Sequence, residues 1–178
     1  HKHIDIVVLG NISYQKGAGV IRDMAKKLPT YVNLIIVGEM KDAPDNIHVH
    51  GRYNAKKLPR IMEKYQADIV FIPSIWPETF SYTTSEAISM ALPVACFDMG
   101  APAQRVHAYE YGLVLDEINP EKNMIQIIDF IKRIIRAVFV NFNIIKTMIW
   151  CKYYNFFTIF ICQRQITISL FCQQDIIF

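Results

Sequence analysis

The sequence predicts an α/β fold, a doubly wound parallel sheet of the Rossmann-like type. Short apolar runs alternate with segments in which apolar residues recur at helical spacing. The apolar runs are continuous, which is typical of parallel strands buried on both faces. Glycine or proline follows several of these runs, as at Gly10, Gly38, Gly51 and Pro73. At 178 residues, the chain is long enough for one well-buried domain.

Strands and helices are predicted to alternate through the first two thirds of the chain. The predicted strands span residues 4–9, 33–37, 47–50, 69–72, 93–97 and 112–115. The predicted helices span residues 16–28, 56–65, 81–90, 103–109 and 120–135. Ligands of doubly wound sheets bind beyond the carboxyl ends of the strands. The predicted site therefore consists of the loops after Leu9, Val37, His50, Pro73 and Phe97.

The composition changes abruptly in the last third of the chain. All seven glycines lie at or before Gly112 and all eight prolines at or before Pro120, whereas Phe, Tyr, Ile and Asn dominate after Ala137. We therefore predict one domain over residues 1–136 and an atypical apolar tail over residues 137–178.

Three interpretations of this tail are open. We favour the hypothesis that it is non-native coding sequence, because a frameshift or read-through into A/T-rich DNA would give this mixture of residues. A terminal helix packed on the domain is the second interpretation. A transmembrane span is the third, and it is disfavoured because Asn and Lys residues interrupt every window of about 20 residues that a span needs.

Charge and cysteine content exclude several classes of function. The 19 basic and 16 acidic residues give a net charge of +3, so a nucleic-acid partner is not expected. The four cysteines lack the spacing of a zinc knuckle and the density of a secreted disulfide scaffold, which favours a cytoplasmic setting. The start of the chain lacks the features of a signal peptide and is interpreted as a cut into a larger protein.

The segment PSIWPETFSYTTSEAISMALPVACFDMGAPAQRV carries two acidic residues at a functionally suggestive spacing. Glu78 lies in the loop after the fourth strand, and Glu86 lies on the following helix, so that both carboxylates can flank one space. Carboxylates accept hydrogen bonds from sugar and ribose hydroxyls. The backbone N–H groups of Phe80, Ser81 and Tyr82 would open the helix without intrahelical partners, which suits a phosphate.

The loop after the first strand, GNISYQKG, is predicted to supply the opposite charge. Lys16 is placed at the start of a helix, where a cation is unfavourable unless an anion binds there. Gly10 and Gly17 let the backbone approach a ligand closely, because they have no side chain. The alternative for Lys16 is an exposed helix residue without a ligand.

The chain resembles the retaining glycosyltransferases of family 4, which have the GT-B fold of two facing Rossmann-like domains. The matches are the loop Gly10 to Gly17, the strand ending in Val37 and Gly38, the turn Gly51-Arg52-Tyr53, and the paired-glutamate motif E-x7-E of the long segment. The resemblance covers about residues 4–115. It implies that the chain is the C-terminal, donor-binding half of such an enzyme.

The resemblance also implies residue roles. Glu86 would bind the ribose and Glu78 the donor sugar, Lys16 would hold the diphosphate, and Arg52 and Tyr53 would lie beside the base. The candidate catalytic residues are thus Glu78 and Lys16, and the candidate donor-binding residues are Glu86, Gly10, Asn11, Gly38, Arg52, Tyr53, Thr79, Phe80, Ser81 and Tyr82. The implied donor is a nucleotide-diphosphate sugar and the implied acceptor a glycan or polysaccharide. No metal or other cofactor is expected.

Two departures from the family pattern affect this interpretation. Many members carry an arginine near the position of Asn11, and Arg105 or Arg52 are the candidates to replace its charge. The N-terminal GT-B domain with the acceptor site is missing from the chain, so the fragment alone is expected to be inactive. A non-catalytic nucleotide-sugar-binding fragment is therefore the alternative function, and peripheral membrane association of the parent enzyme stays open.

Other functions are disfavoured by the residues themselves. A dinucleotide-dependent oxidoreductase would carry G-x-G-x-x-G after the first strand, and this chain does not. His48 and His50 alternate on a strand but have no third metal ligand at a suitable spacing. Asp98 and His107 lack the nucleophile elbow of a hydrolase, and Cys96 is predicted to be a small core residue.

Overall fold

The computed structural model describes the backbone of residues 3–154 and the side chains of residues 3–137. The chain divides into two compact units, with the boundary between Lys132 and Arg133. Most of the predicted tail, residues 137–178, lies outside the described side chains, and residues 155–178 also lie outside the described backbone. The hypothesis of a non-native tail thus stays a prediction.

A six-stranded parallel sheet forms the centre of the first unit. Its strand order is β3-β2-β1-β4-β5-β6, and every neighbouring pair is parallel. The strands are β1 (Ile4–Asn11), β2 (Val32–Glu39), β3 (His48–Val49), β4 (Ile69–Ile72), β5 (Val94–Phe97) and β6 (Gly112–Leu115). The helices are α1 (Ala18–Lys26), α2 (Leu58–Lys64), α3 (Tyr82–Ser89), α4 (Gly100–His107) and α5 (Pro120–Tyr154).

The sheet is covered on both faces, as the continuous apolar runs predict. One face packs in a cluster with residues of α2, α3 and α4, and its buried strand residues are Val7, Leu9, Ile35, Val37, Val70, Ile72, Val94 and Cys96. The strand residues of opposite orientation, such as Ile6, Ile36 and Phe71, are equally buried. The buried residues of α1, such as Ile21 and Met24, do not belong to this cluster, and the right-handed crossovers usual for parallel strands place α1 on the face opposite α3. The predicted doubly wound fold is therefore confirmed.

Several predicted boundaries are wrong for identifiable reasons. Gly10 and Gly38 do not stop their strands, because β1 and β2 stay paired through Asn11 and Glu39. Helix α1 begins at Ala18, so Lys16 precedes the helix instead of opening it. Helix α4 begins at Gly100 rather than at residue 103. Its Pro102 is tolerated because the first-turn N–H groups of a helix have no intrahelical partner.

The last helix runs well past its predicted end at residue 135. Helix α5 extends from Pro120 to Tyr154, and neither glycine nor proline occurs in the chain after Pro120 to interrupt it. The side chain of Asn119 caps its first turn by accepting a hydrogen bond from the Lys122 N–H at 3.1 Å. Within the described residues, no helix is both long and apolar enough to cross a membrane.

Candidate functional site

The topology brings the loops after β1 and β4 together at the carboxyl edge of the sheet. From β1 the chain crosses to β2 on one side, while β4 pairs with β1 on the other side and leads to β5. The connections therefore diverge between β1 and β4, and this switch point is where ligands of such sheets bind. Lys16 lies in the first of these loops and Glu78 in the second.

Two hydrogen bonds join these two loops directly. The N–H of Ile75 donates to the carbonyl of Gln15 at 2.9 Å, and the hydroxyl of Ser74 donates to the same carbonyl at 3.2 Å. Gly17 has a φ of +84°, and a Cβ there would lie 2.0 Å from the carbonyl oxygen of Pro73. The glycine is thus explained by the packing of one loop on the other, whereas the sequence suggested close approach to a ligand.

Lys16 and Glu78 form an ion pair across the switch point. Their Nζ and Oε1 atoms are 3.7 Å apart, and the side chains are 41% and 15% exposed, respectively. The carboxylate is thus the more buried partner of the pair. The structure brings together the two residues that the sequence singled out as catalytic candidates.

Glu86 lies in the second turn of α3 and is oriented by Tyr53. The hydroxyl of Tyr53 donates to Oε2 of Glu86 at 2.8 Å, which links the loop after β3 to α3. Burial, the hydrogen bond to Glu86 and the negative charge of Glu86 all raise the pKa of Tyr53 above its usual value. The phenol therefore keeps its proton at neutral pH and remains a donor to this carboxylate.

Gly10, Asn11, Gly38 and Arg52 surround the ends of β1 and β2. Gly10 pairs with Gly38 in the parallel register, and a Cβ on Gly38 would lie 1.9 Å from the carbonyl oxygen of Gly10. Asn11 is exposed at the next position. Arg52 forms an ion pair with Glu39, with Nε and Oε1 2.9 Å apart, so its charge already has a local partner. Sequence reasoning missed Glu39.

Arg105, which the sequence offered together with Arg52 as a substitute for the missing arginine, has contacts that only the structure reveals. Its guanidinium donates to the carbonyl of Ser81 at 3.0 Å and to the hydroxyl of Ser85 at 2.6 Å. The same guanidinium lies 4.2 Å from the ring centroid of Phe80. Both hydrogen-bond acceptors are neutral, so neither bond pairs the positive charge of Arg105 with a negative one.

Helix α4 also holds the loop that carries Glu78. The N–H of Ala101 donates to the carbonyl of Glu78 at 2.8 Å. Gly100 has a φ of +60°, and a Cβ there would lie 2.7 Å from the same carbonyl oxygen. Together with Arg105, the first turns of α4 therefore fix both ends of the segment from Glu78 to Ser85.

The residues that open α3 differ in exposure. Ser81 is buried and occupies the position before the first turn, but its side chain does not cap the helix. Its hydroxyl instead accepts a hydrogen bond from the hydroxyl of Thr84 at 3.0 Å. Thr79, Phe80 and Tyr82 are exposed, and the rings of Phe80 and Tyr82 lie 4.7 Å apart.

A groove of about 600 Å³ lies away from these residues. It is at the amino-terminal edge of β4 and β5, and its lining includes Met62, Gln66, Met90 and Leu92. None of the predicted site residues lines it. We assign the site to the carboxyl edge, because the loops diverge there and the charged groups meet there.

We expect Arg105→Ala to loosen the segment from Glu78 to Ser85. The variant removes both hydrogen bonds and the contact with Phe80, which together contribute on the order of 1 to 3 kcal/mol. Amide hydrogen exchange in this segment should become at least about fivefold faster by mass spectrometry. Arg22→Ala is the matched control, because Arg22 also donates to two backbone carbonyls, those of Lys41 and Asp42. Unchanged exchange in the Arg105 variant would contradict the holding role.

The fold is a doubly wound α/β domain in which charged side chains from two loops meet at the switch point of the sheet. The family model described as glycosyl transferases group 1 matches residues 1–137. The chain therefore belongs to this family of glycosyltransferases. A comparison with curated protein sequences found no match.

Solved structures of similar fold belong to longer proteins. HepE of Anabaena, in complex with UDP and glucose, is 17% identical with a TM-score of 0.56, over 75% of this chain and 39% of that one. A glycosyltransferase from Rickettsia africae ESF-5 is 21% identical with a TM-score of 0.59, over 76% and 39%. Sucrose-phosphate synthase of Thermosynechococcus elongatus is 16% identical with a TM-score of 0.58, over 84% and 46%. The chain thus spans less than half the length of each.

Proposed function

We propose that this chain binds the nucleotide-diphosphate sugar donor of a retaining glycosyltransferase. The observation that carries the proposal is the Lys16–Glu78 ion pair at the switch point, with Nζ and Oε1 3.7 Å apart. A cation and an acidic side chain at one crevice suit a ligand that has both an anionic part and hydroxyl groups. A sugar linked to a diphosphate is such a ligand.

Each charged group has a distinct role in this proposal. Lys16 holds the diphosphate, and the amides near Phe80 and Ser81 assist. Glu78 binds hydroxyls of the donor sugar, which displaces it from Lys16. Glu86 binds the ribose hydroxyls with the lone pairs that Tyr53 leaves free, since a carboxylate offers about four acceptor positions.

Arg105 is our proposed replacement for the arginine that many relatives carry near the position of Asn11. Arg52 is less suitable, because its guanidinium is 2.9 Å from the carboxylate of Glu39. The positive charge of Arg105 has neutral hydrogen-bond partners and lies beside the segment that carries Glu78. With Lys16, it supplies the positive charge that a divalent ion would otherwise provide, and we propose that donor binding needs no metal.

The proposed reaction is transfer of a hexosyl group to a glycan or polysaccharide acceptor with retention at the anomeric carbon. Lys16 stabilises the negative charge that develops on the leaving diphosphate, and preorganised charges of this kind contribute strongly to catalysis. The acceptor would be bound mainly by a second domain, and the chain spans 39% to 46% of similar structures. We therefore expect the isolated chain to bind the donor without transferring it, in a cytoplasmic setting.

Calorimetry with UDP-, GDP- and ADP-glucose, in buffer containing EDTA, tests donor binding. We expect one nucleotide sugar to bind without metal. The nucleoside diphosphate that corresponds to this sugar is then titrated separately. Lys16→Met should weaken its binding by about tenfold, because a charge-assisted contact contributes about 1.5 kcal/mol or more. The affinity for the corresponding nucleoside should not change. Lys26→Met is the control, since Lys26 is an exposed helix lysine paired with Asp23.

Two results would contradict this proposal. The first is the absence of binding by all three nucleotide sugars to a folded chain. The second is an equal loss of nucleoside and nucleoside diphosphate affinity in the Lys16 variant, which would mean that Lys16 does not contact the diphosphate.

A non-catalytic donor-binding module is the alternative function. Asn11, which stands near the position of the missing arginine, favours it. Co-expression of the chain with the N-terminal domain of a group 1 glycosyltransferase, followed by a transfer assay, separates the alternatives. Transfer that depends on Glu78 supports the enzyme, whereas donor binding without transfer supports the module.

A further inference from the structure

The most exposed aromatic side chains lie in the loops that carry the Lys16–Glu78 pair or next to them. Within the described part of the chain, the four most exposed aromatic residues are Tyr14 (77%), Tyr82 (76%), Trp76 (62%) and Phe80 (51%). All four lie in the loops after β1 and β4 or at the first residue of α3. Large exposed apolar groups grouped in one place indicate a binding surface.

Tyr14 and Trp76 are the two members of this group that donor binding does not use. Tyr14 lies two positions before Lys16, and Trp76 lies two positions before Glu78. The bond between the Ile75 N–H and the Gln15 carbonyl, 2.9 Å long, joins their neighbouring residues across the two loops. The two aromatic residues therefore lie in loops that are bonded to each other, and each is close in sequence to one member of the ion pair.

The backbone at both positions is held by further hydrogen bonds. The carbonyl of Tyr14 accepts from the N–H of Gly17 at 3.0 Å, and the carbonyl of Trp76 accepts from the hydroxyl of Ser74 at 3.2 Å. The ring pairs of residues 3–137 include Phe80 with Tyr82 but neither Tyr14 nor Trp76. The two residues thus stand on backbone held by hydrogen bonds, and most of the surface of each is exposed.

The charges beside these rings favour a saccharide over a protein as the ligand. The buried centre of a protein interface is depleted in charged residues, and covering the Lys16–Glu78 pair with protein would remove its charges from water. A saccharide has apolar C–H faces that pack on aromatic rings. It also has hydroxyl groups that hydrogen-bond to charged side chains.

We propose that Tyr14 and Trp76 form a binding platform for the acceptor saccharide, directly beside the donor site. The proposal rests on the proposed function, since only a glycosyl transfer requires two carbohydrates to meet at this crevice. It places part of the acceptor site on the donor-binding domain. Tyr14 and Trp76 contact the acceptor, while Lys16 and Glu78 bind the donor.

Saccharide binding to the 178-residue chain can be measured by ligand-observed NMR titration with cellotriose, maltotriose and chitotriose. We expect at least one to bind with a Kd on the order of millimolar, typical of a small shallow contact. Trp76→Ala should weaken that binding by about tenfold, the effect of one lost aromatic contact. Trp76→Phe should retain part of it, and Tyr14→Ala should weaken it severalfold.

Tyr31→Ala is the matched control, because Tyr31 is 45% exposed at the start of β2, away from the carboxyl edge. It should leave saccharide binding unchanged. All variants should bind UDP or the preferred nucleotide with the affinity of the unmodified chain, since none alters a donor residue. This readout also detects misfolding.

Three outcomes would overturn the platform. They are no binding by any of the three saccharides, equal binding by Trp76→Ala and the unmodified chain, and self-association that Trp76→Ala abolishes, which would assign the surface to protein contacts. Nucleotide binding with no saccharide binding would leave the proposed function intact. Saccharide binding through Trp76 with no nucleotide binding would contradict the proposed function instead.

Discussion

Glu86→Ala is expected to weaken nucleotide binding about 10- to 150-fold. Hydrogen bonds to a charged acceptor contribute about 1.5 to 3 kcal/mol, and each 1.4 kcal/mol corresponds to a tenfold change in affinity. Glu86 is half-buried on α3, and the hydroxyl of Tyr53 already orients one of its oxygens at 2.8 Å. An oriented carboxylate loses little entropy when ribose hydroxyls bind. Its removal should therefore cost the full free energy of these hydrogen bonds.

Isothermal titration of the preferred nucleoside diphosphate measures this effect. Glu63→Ala is the control, because Glu63 is an exposed glutamate on α2 at the amino-terminal edge of the sheet. Repeating both titrations with the 2′,3′-dideoxyribose analogue isolates the ribose contact. Glu86→Ala should hardly change binding of this analogue. If the folded Glu86 variant binds the ribose nucleotide as well as the unmodified chain does, the ribose role is wrong.

Gly38→Ala is expected to lower the free energy of unfolding by about 2 to 6 kcal/mol. A non-glycine residue at positive φ costs about 1 to 3 kcal/mol, and forcing an extra methyl group into a packed site costs a similar amount. Gly38 has a φ of +145°, and its Cβ would lie 1.9 Å from the carbonyl oxygen of Gly10. That oxygen belongs to the paired strand, so it cannot move without distorting the sheet edge.

Urea denaturation followed by circular dichroism measures this loss. Gly19→Ala is the matched control, since Gly19 lies in α1 and a Cβ there would meet nothing within 4 Å. Alanine favours a helix over glycine, so this variant should be as stable as the unmodified chain or slightly more stable. If the Gly38 variant is as stable as the unmodified chain, then β1 and β2 do not approach each other as closely at Gly10 and Gly38 as the structure shows.

Local pattern was sufficient to predict the sheet and most of its helices. Burial on both faces requires apolar residues at every strand position. Runs such as Ile69–Ile72 could therefore be predicted as strands without knowledge of the strands they pair with. Boundaries were less accurate. Glycine is permissive and does not itself end a strand, so Gly38 remained inside β2. We predicted the end of α5 too early, because the helical spacing of apolar residues is lost there. The helix continues to Tyr154, since no glycine or proline follows Pro120 to break it.

Some residues of the candidate site could be selected from the sequence and others could not, because local pattern shows only short-range features. Glu78, Glu86 and Lys16 could be selected because they lie near strand ends or helix starts, positions that the local pattern reveals. Glu39 and Arg105 could not be ranked, because their roles depend on partners distant in sequence. Arg105 reaches Ser81, and Glu39 pairs with Arg52.

The sequence by itself determined the fold class, the edge of the sheet at which Lys16 and Glu78 lie, and the chemical types of the residues there. These follow from periodicity and residue type, which act over a few neighbouring positions. Only the tertiary structure decided which charges are paired. Lys16 meets Glu78, Tyr53 meets Glu86, and Arg105 meets neutral acceptors. Such pairing depends on distances of a few ångströms between loops that are far apart in the chain, and the strand order sets those distances.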